Sequence, residues 1–535
     1  MRRRALRLAP STWRAAGQTL FLLLFLILFV KTDYAGVDEL NWAANLLFRI
    51  DPFLAAAAML ATRTVIALML PALFTLGLTL LFGRFFCGWI CPMGCLIDAS
   101  RRLMGRTSRD AVGISQQPGR RHLKYALLLF FLTAACFGLP LAGYLDPFSI
   151  LVRGLTFSVQ PALDHAATTF FTWTYQQAPA WVNALTEPVY ALLKQSVLPF
   201  SAKVYGLSIL ALFLLLAVLA LSWLEPRFFC RKVCPLGALL ALTARFPLLR
   251  LRGGSAECGR CRQCRTVCPM AAIDDSRLID PGECTLCLRC LDHCPSSRIG
   301  YGLRRPGGVA SRKNIDNQTA NLSRRAILVS LAAGALTPLA LPSRPQTRHS
   351  DPLLIRPPGA LAEPDFVNLC LRCGECMKVC IGNALHASWL EAGLEGIFTP
   401  RLIGRLGYCE YNCTLCGQVC PSGAIRRLDR HEKQAVIIGR AHFDKNRCLP
   451  YASGTPCIVC EEHCPTPDKA IKFREATVID HSGAEVVVRQ PYVVDRLCIG
   501  CGICEHKCPV EGAAAILVTA AGESRHERLV VQDGY

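Results

Sequence analysis

Four long apolar runs stand out along the first half of the chain, at roughly 17–36, 63–83, 123–143 and 204–224. As helices, each is long enough to cross a hydrocarbon layer of ~30 Å. A fifth run, 326–342, is shorter. Polar, basic segments separate them. The pattern predicts an integral membrane α-helical bundle, four spans as two repeated hairpins plus a fifth span. Beyond residue 245 the runs give way to short mixed segments rich in Cys, Gly and Pro. These predict small cysteine-rich α+β domains.

The first half repeats itself. Arg84–Gly94 reads RFFCGWICPMG and Arg227–Gly237 reads RFFCRKVCPLG, with seven of eleven positions identical. An Asp-Pro-Phe precedes the second helix of each hairpin, at Asp51-Pro52-Phe53 and Asp146-Pro147-Phe148. Aspartate followed by proline is a helix start: the carboxylate caps free N–H groups and proline takes the first helical position. A carboxylate that accepts protons is the functional alternative.

Charge changes the picture next. The chain has 535 residues and a formal charge of +20, with a mean hydropathy of +0.32. From residue 343 onward, basic and acidic residues balance at 22 each. The whole excess sits in the apolar half, so it reads as a topology signal and not as a nucleic-acid footprint. With 1–16, 84–122 and 225–325 on the cytoplasmic side, only Lys31, Arg49, Arg63, Arg153, Lys194 and Lys203 fall opposite. This orientation predicts a multi-pass protein of a bacterial inner membrane. Its N-terminus and the segment 225–325 would be cytoplasmic and its C-terminal domain periplasmic.

Thirty cysteines carry the chemistry. Disulfide scaffolds are small and loop-rich, whereas these cysteines are clustered in a large, apolar chain. Cys258, Cys261, Cys264 and Cys268-Pro269 have the spacing C-x2-C-x2-C-x3-C-P, and Cys284, Cys287, Cys290 and Cys294-Pro295 repeat it. In two-cluster ferredoxins the fourth cysteine of each run ligates the other cluster. One 4Fe-4S cluster is therefore expected on Cys258, Cys261, Cys264 and Cys294, the other on Cys284, Cys287, Cys290 and Cys268. Zinc sites present two cysteine pairs more often than three close thiolates and a Cys-Pro.

Four more quartets follow: Cys370, Cys373, Cys376, Cys380; Cys409, Cys413, Cys416, Cys420; Cys448, Cys457, Cys460, Cys464; and Cys498, Cys501, Cys504, Cys508. The middle two have a lengthened first gap. A nested scheme follows, with the middle two paired together and the outer two together; neighbouring pairs are the alternative. Either way the total is six clusters. No quartet lacks a cysteine, which favours electron transfer over catalysis at an open iron. Cys87/Cys91 and Cys230/Cys234 form C-x3-C-P pairs, whose spacing puts both thiols on one helical face. They are candidates for one further metal or iron–sulfur site. Cys95 has no counterpart in the repeat, and Cys136 is expected to pack within the third span. No C-x-x-C-H motif and no dinucleotide fingerprint occurs, so c-type haem, flavin and nicotinamide are not indicated.

The paired RFFC-x3-CP-x-G motifs with the Cys258–Cys294 ferredoxin resemble the NapH-type membrane ferredoxin subunit. The part beyond residue 365 resembles the four-cluster NapG/MauM-type ferredoxin, so the chain resembles a fusion of the two. Ser323-Arg324-Arg325-Ala326-Ile327-Leu328 resembles a twin-arginine export motif. The expected partition is a four-span domain over 1–245, a two-cluster ferredoxin over 246–303 and a basic linker over 304–325. The fifth span over 326–342, a linker over 343–364 and a four-cluster ferredoxin over 365–535 complete it. The resemblance implies electron transfer from the quinol pool, in the lipid bilayer, to a periplasmic reductase or c-type cytochrome, as a quinol dehydrogenase component. The alternatives are a conduit fed by a cytoplasmic ferredoxin and a metal-reducing assembly factor for a respiratory oxidase.

Overall fold

Prolines, glycines and left-handed residues cut the apolar runs into shorter helices. The computed structural model describes residues 9–34, 36–40, 45–103, 105, 122–199, 202–253, 258, 261–295, 297–303, 323–340, 351–479 and 483–525. Among them one helix, Pro10–Lys31 with 22 residues and a mean hydropathy of 1.9, is by length and composition able to cross a membrane. The other apolar helices, Pro52–Thr62, Ala67–Phe82, His122–Cys136 and Ser208–Leu224, have 10–17 residues. The expected four-span bundle with a fifth span, and the multi-pass localisation built on it, are thereby overturned.

The reason is local. In the run 63–83, Arg63 is left-handed (φ 55°) and a 3-10 turn follows at Ala67–Met69. Pro71 then starts a helix of 11 residues, Ala72–Phe82. The run 123–143 loses its helix at Cys136, before left-handed Gly138. The fifth run forms a helix of 17 residues, Arg324–Ala340, with Pro338 inside it. Hydropathy sums side chains, but a span also needs an unbroken backbone ladder.

The chain forms two units. The first takes Met1–Phe29, Leu46–Gly154 and Leu210–Ala340. Here both halves of the repeat precede a cysteine-rich segment, which is closed by the antiparallel strands Leu249–Arg252 and Gly300–Leu303. Helix Arg324–Ala340, whose N–H at Ala326 is capped by Ser323 Oγ at 3.2 Å, lies against His122–Cys136. A Cβ on Gly334 would stand 2.8 Å from the Phe130 carbonyl. Residues 304–322 of the expected basic linker, 341–342 of the expected fifth span and 343–350 of the second linker lie outside the described residues.

The second unit takes Val30–Asn45, Leu155–Ile209 and Leu341–Tyr535. Its two long helices are Gln160–Gln177 and Ala180–Ser196. Three antiparallel strand pairs order its cysteine loops: Leu385–Ala387 with Pro400–Leu402, Arg440–Phe443 with Ile516–Thr519, and Ile471–Ile479 with Glu485–Val493. Segment 30–45 is tied in by Asp33, which meets Lys203 Nζ at 2.7 Å and Lys378 Nζ at 3.5 Å.

Candidate functional site

Three cavities are framed by sulfur. One is lined by Cys268, Cys284, Cys287 and Cys290, with Leu251, Ile273 and Leu288 around them. A second is lined by Cys380, Cys409, Cys413 and Cys416. A third is lined by Cys448, Cys457, Cys460 and Cys508. In each, three cysteines of one run meet the last cysteine of another.

The second unit thus joins neighbouring quartets, the first with the second and the third with the fourth, and not the nested sets. Its strands explain why. Arg440–Phe443, just before Cys448, pairs with Ile516–Thr519, just after Cys508. Ala384, just after Cys380, accepts the Ile403 N–H, and Gly382 accepts that of Tyr408. The lengthened first gaps are absorbed inside single loops; the stretch between Cys448 and Cys457 holds the short helix Leu449–Ala452. The complementary sets also stand together. Burial raises the thiols of Cys373 and Cys376, and Cys420 beside them adds to the rise. Burial likewise pushes Cys501 up to about 12, with Cys409, Cys498 and Cys464 adding to it. In the first unit burial raises Cys264, and Cys261, Cys294 and Cys258 contribute.

A backbone donor meets the last cysteine of every quartet. Cys268 Sγ accepts from Ala272 N at 3.3 Å, Cys294 from Arg298 N at 3.4 Å and Cys380 from Ala384 N at 3.3 Å. Cys420 accepts from Ile425 N at 3.4 Å, Cys464 from Ala470 N at 3.3 Å and Cys508 from Ala515 N at 3.4 Å. Four of these donors lie in Ala-Ile pairs, Ala272-Ile273, Ala424-Ile425, Ala470-Ile471 and Ala515-Ile516, which turn a backbone N–H onto sulfur and then enter a strand or a β-bridge.

The donors fit an iron–sulfur core. Burial pushes the thiols of Cys268 and Cys448 up to about 11. Such thiols ionise when they ligate a metal centre, and N–H···S bonds stabilise the thiolate and tune its potential. Among the described residues no three His, Cys, Asp or Glu converge closely enough for a single metal ion. Thiols arranged around a void suit a polynuclear core better than one zinc ion.

The repeated pairs are built differently from the helical-face expectation. Phe86–Ile90 and Phe229–Val233 are π-helical turns. Cys91 N bonds to Phe86 O at 3.0 Å, and Cys234 N to Phe229 O at 2.8 Å. Both Cys91 and Cys234 are extended, with ψ 113° and 112°, because a following proline disfavours helical backbone before it. Burial raises Cys234, and Cys230, Cys87 and Cys91 beside it raise it further, so the four thiols stand in one another's field. Gly237 N donates to Cys234 Sγ at 3.2 Å.

Buried charge surrounds them. Arg84 reaches Glu283 at 3.2 Å and Cys87 Sγ at 3.9 Å. Arg227 reaches Asp98 at 2.9 Å and Cys87 O at 3.5 Å. Glu283 also meets Lys124 at 2.6 Å, and Asp98 meets Arg14 at 2.8 Å. None of this ion-pairing was legible from local motifs, since Arg84 and Glu283 are 199 residues apart.

Asp51 and Asp146 cap their helices. Asp51 accepts from Phe53 N at 2.7 Å and Leu54 N at 3.0 Å, and Asp146 from Ser149 N at 2.8 Å. Both are fully buried. Burial, then the neighbouring Asp146, raises the Asp51 carboxyl. Cys95 is partly buried near Asp98. Cys136 is exposed at the end of its helix, so the packing expectation fails there.

Comparison with known proteins adds the family. A 4Fe-4S binding domain family matches residues 64–109 and 207–253, which hold the two C-x3-C-P pairs. The methylamine utilization ferredoxin-type protein MauM of Methylophilus methylotrophus is 35% identical over 180 residues, 33% of this chain and 75% of that protein. The ferredoxin-type protein NapG of Escherichia coli is 33% identical over 205 residues, 37% of this chain and 87% of that protein. The chain belongs to the MauM/NapG family of ferredoxin-type proteins. It is an iron–sulfur electron-transfer protein with 4Fe-4S clusters on its cysteine motifs. Protein NirI of Paracoccus denitrificans, 29% identical over 215 residues, shares 39% of this chain and 25% of its own length. No solved structure matches the chain.

Proposed function

We propose that this MauM/NapG-type chain, with a NapH-like first half, passes electrons from a quinol to a reductase or c-type cytochrome. Six 4Fe-4S clusters are held by the 24 quartet cysteines, each by three cysteines of one run and the last of its neighbour. The observation that carries this is the repeated geometry of the three sulfur-lined cavities. When bound, such clusters supply one-electron steps with no loss of ligands. The chain's own residues do the rest. Apolar neighbours exclude water from the cavities, backbone N–H groups meet the last sulfur of each run, and interlocked loops fix the distances between sites.

The quinol is inferred from the likeness to NapH-type proteins, and the acceptor from the likeness to NapG. Anaerobic protein mixed with a reduced quinol analogue tests the donor. Bleaching of the broad iron–sulfur absorbance within the mixing time of a turnover is expected. Failure with quinol, and fast bleaching by reduced ferredoxin or flavodoxin, would replace the quinol by a soluble donor.

A further inference from the structure

We infer that Cys87, Cys91, Cys230 and Cys234 together ligate one additional 4Fe-4S cluster, shared between the halves of the repeat, with Arg84 and Arg227 as its positioning and charge-balancing residues. This rests on the reading of the quartets as cluster ligands and extends it to cysteines that form no quartet in sequence. Residues 64–109 contain Cys87, Cys91 and Cys95, and residues 207–253 contain Cys230 and Cys234. Neither segment holds four ligands. One complete donor set arises only when the two pairs combine, and Arg84 links them: its Nη2 lies 3.9 Å from Cys87 Sγ and beside Gly237, whose N donates to Cys234 Sγ at 3.2 Å.

Three observations converge on this set. Cys91 and Cys234 are buried, while Cys87 and Cys230 are partly so, which encloses the site. The same loop in each half ends in proline and a glycine two residues later, and the arginines cross between halves. A Cβ on Gly237 would stand 2.9 Å from Arg84 Nη2 and 3.5 Å from Cys234 Sγ; one on Gly94 would stand 3.3 Å from Cys87 O and 3.7 Å from Arg227 Nη2. Each arginine thus lies against the other half's cysteine loop. Finally, Glu283 serves Arg84 and Lys124, and Asp98 serves Arg227 and Arg14. Four buried cations thus stand around the two carboxylates that flank the thiols. A cubane with four thiolates carries a charge of about −2, which suits so cationic a setting.

Iron and acid-labile sulfide analysis on the full chain, purified anaerobically, tests this. About 28 iron atoms per chain are expected, against about 24 from the quartets alone. C91S/C234S should lose about four irons and one EPR-active centre. R84Q should keep its iron but move that one centre to a more negative midpoint, leaving the others in place, because a cation that favours the reduced, more anionic state is gone. A wild-type content of about 24 irons overturns the additional site and leaves the quartet reading standing. Zinc replacing the last four irons overturns it as well. A chain with almost no iron overturns both readings. The wild-type count decides even if C91S/C234S fails to fold.

Discussion

The halves of the repeat share their ends and differ in the middle. Both place arginine first, cysteines at the same two positions, and Pro-x-Gly last. Between the cysteines, Gly88-Trp89-Ile90 faces Arg231-Lys232-Val233. In the first half this loop is a docking surface. A Cβ on Gly88 would lie 1.8 Å from the Thr285 carbonyl oxygen, and Trp89 Nε1 donates to Leu286 O at 3.2 Å. Trp89 also stacks on Phe85, with ring centroids 5.3 Å apart. In the second half, Lys232 and Arg231 turn instead to Glu225, at 2.6 and 3.6 Å. The shared positions build a symmetric thiol site. The divergent ones give the ferredoxin loop Cys284–Cys287 its contacts with Gly88 and Trp89 of the first half.

The largest effect expected is at the joint between that loop and the repeat. Glu283→Gln removes the carboxylate that Arg84 and Lys124 share. Loss of one partner of a buried ion pair costs about 3–5 kcal/mol. Anaerobic chemical denaturation should show a correspondingly lower midpoint. An unchanged midpoint would mean that the loop is not anchored by charge.

Gly88→Ala comes next, because a methyl group there meets backbone and not a yielding side chain. About 1–3 kcal/mol is expected, the usual range for overpacking, together with weakened iron retention at Cys284, Cys287 and Cys290. Arg231→Ala is its counterpart in the second half. Glu225 keeps Lys232 there, so iron content should hold. Equal iron loss in both variants would erase the asymmetry. Trp89→Phe should cost about 1 kcal/mol, the scale of one net hydrogen bond, since the stack on Phe85 survives.

Motif spacing made the cysteine chemistry legible because ligand geometry acts over a few residues. Cys268 and Cys284–Cys290 line one cavity, and Asp51 and Asp146 cap helices. Pairing among the four later quartets depended on strands such as Arg440–Phe443 with Ile516–Thr519, which join segments more than 70 residues apart, and no loop length reveals that. The apolar runs misled for a different reason. Side-chain hydropathy continues through Arg63, Pro71 and Gly138, whereas the helix does not. The C-x3-C pairs misled at shorter range: helical periodicity assumes α geometry, and Pro92 and Pro235 force the second cysteine out of it.

The smallest effect separates the two ends of the repeat by pH. Asp51 and Asp146, one from each half, are buried side by side, and Arg153 is the cation whose charge reaches Asp146. Burial and mutual repulsion hold the Asp51 carboxyl above its ordinary range, so the folded pair retains a proton that the unfolded chain would release. Stability from this pair is therefore complete below the ordinary carboxylate range and is lost as pH rises toward the folded value. At the other end, Asp98 is desolvated, but Arg227 and Arg14 more than offset this and hold its carboxyl below the ordinary range. Its contribution is present above that range and is lost on acidification. Denaturation midpoints measured from pH 6 upward should decline less steeply in D51N, whose amide is neutral at every pH, than in the parent chain. D98N should leave that slope unchanged. Matching slopes in parent and D51N would show that the capping carboxyls share no proton, and the two ends of the repeat would then be electrostatically alike.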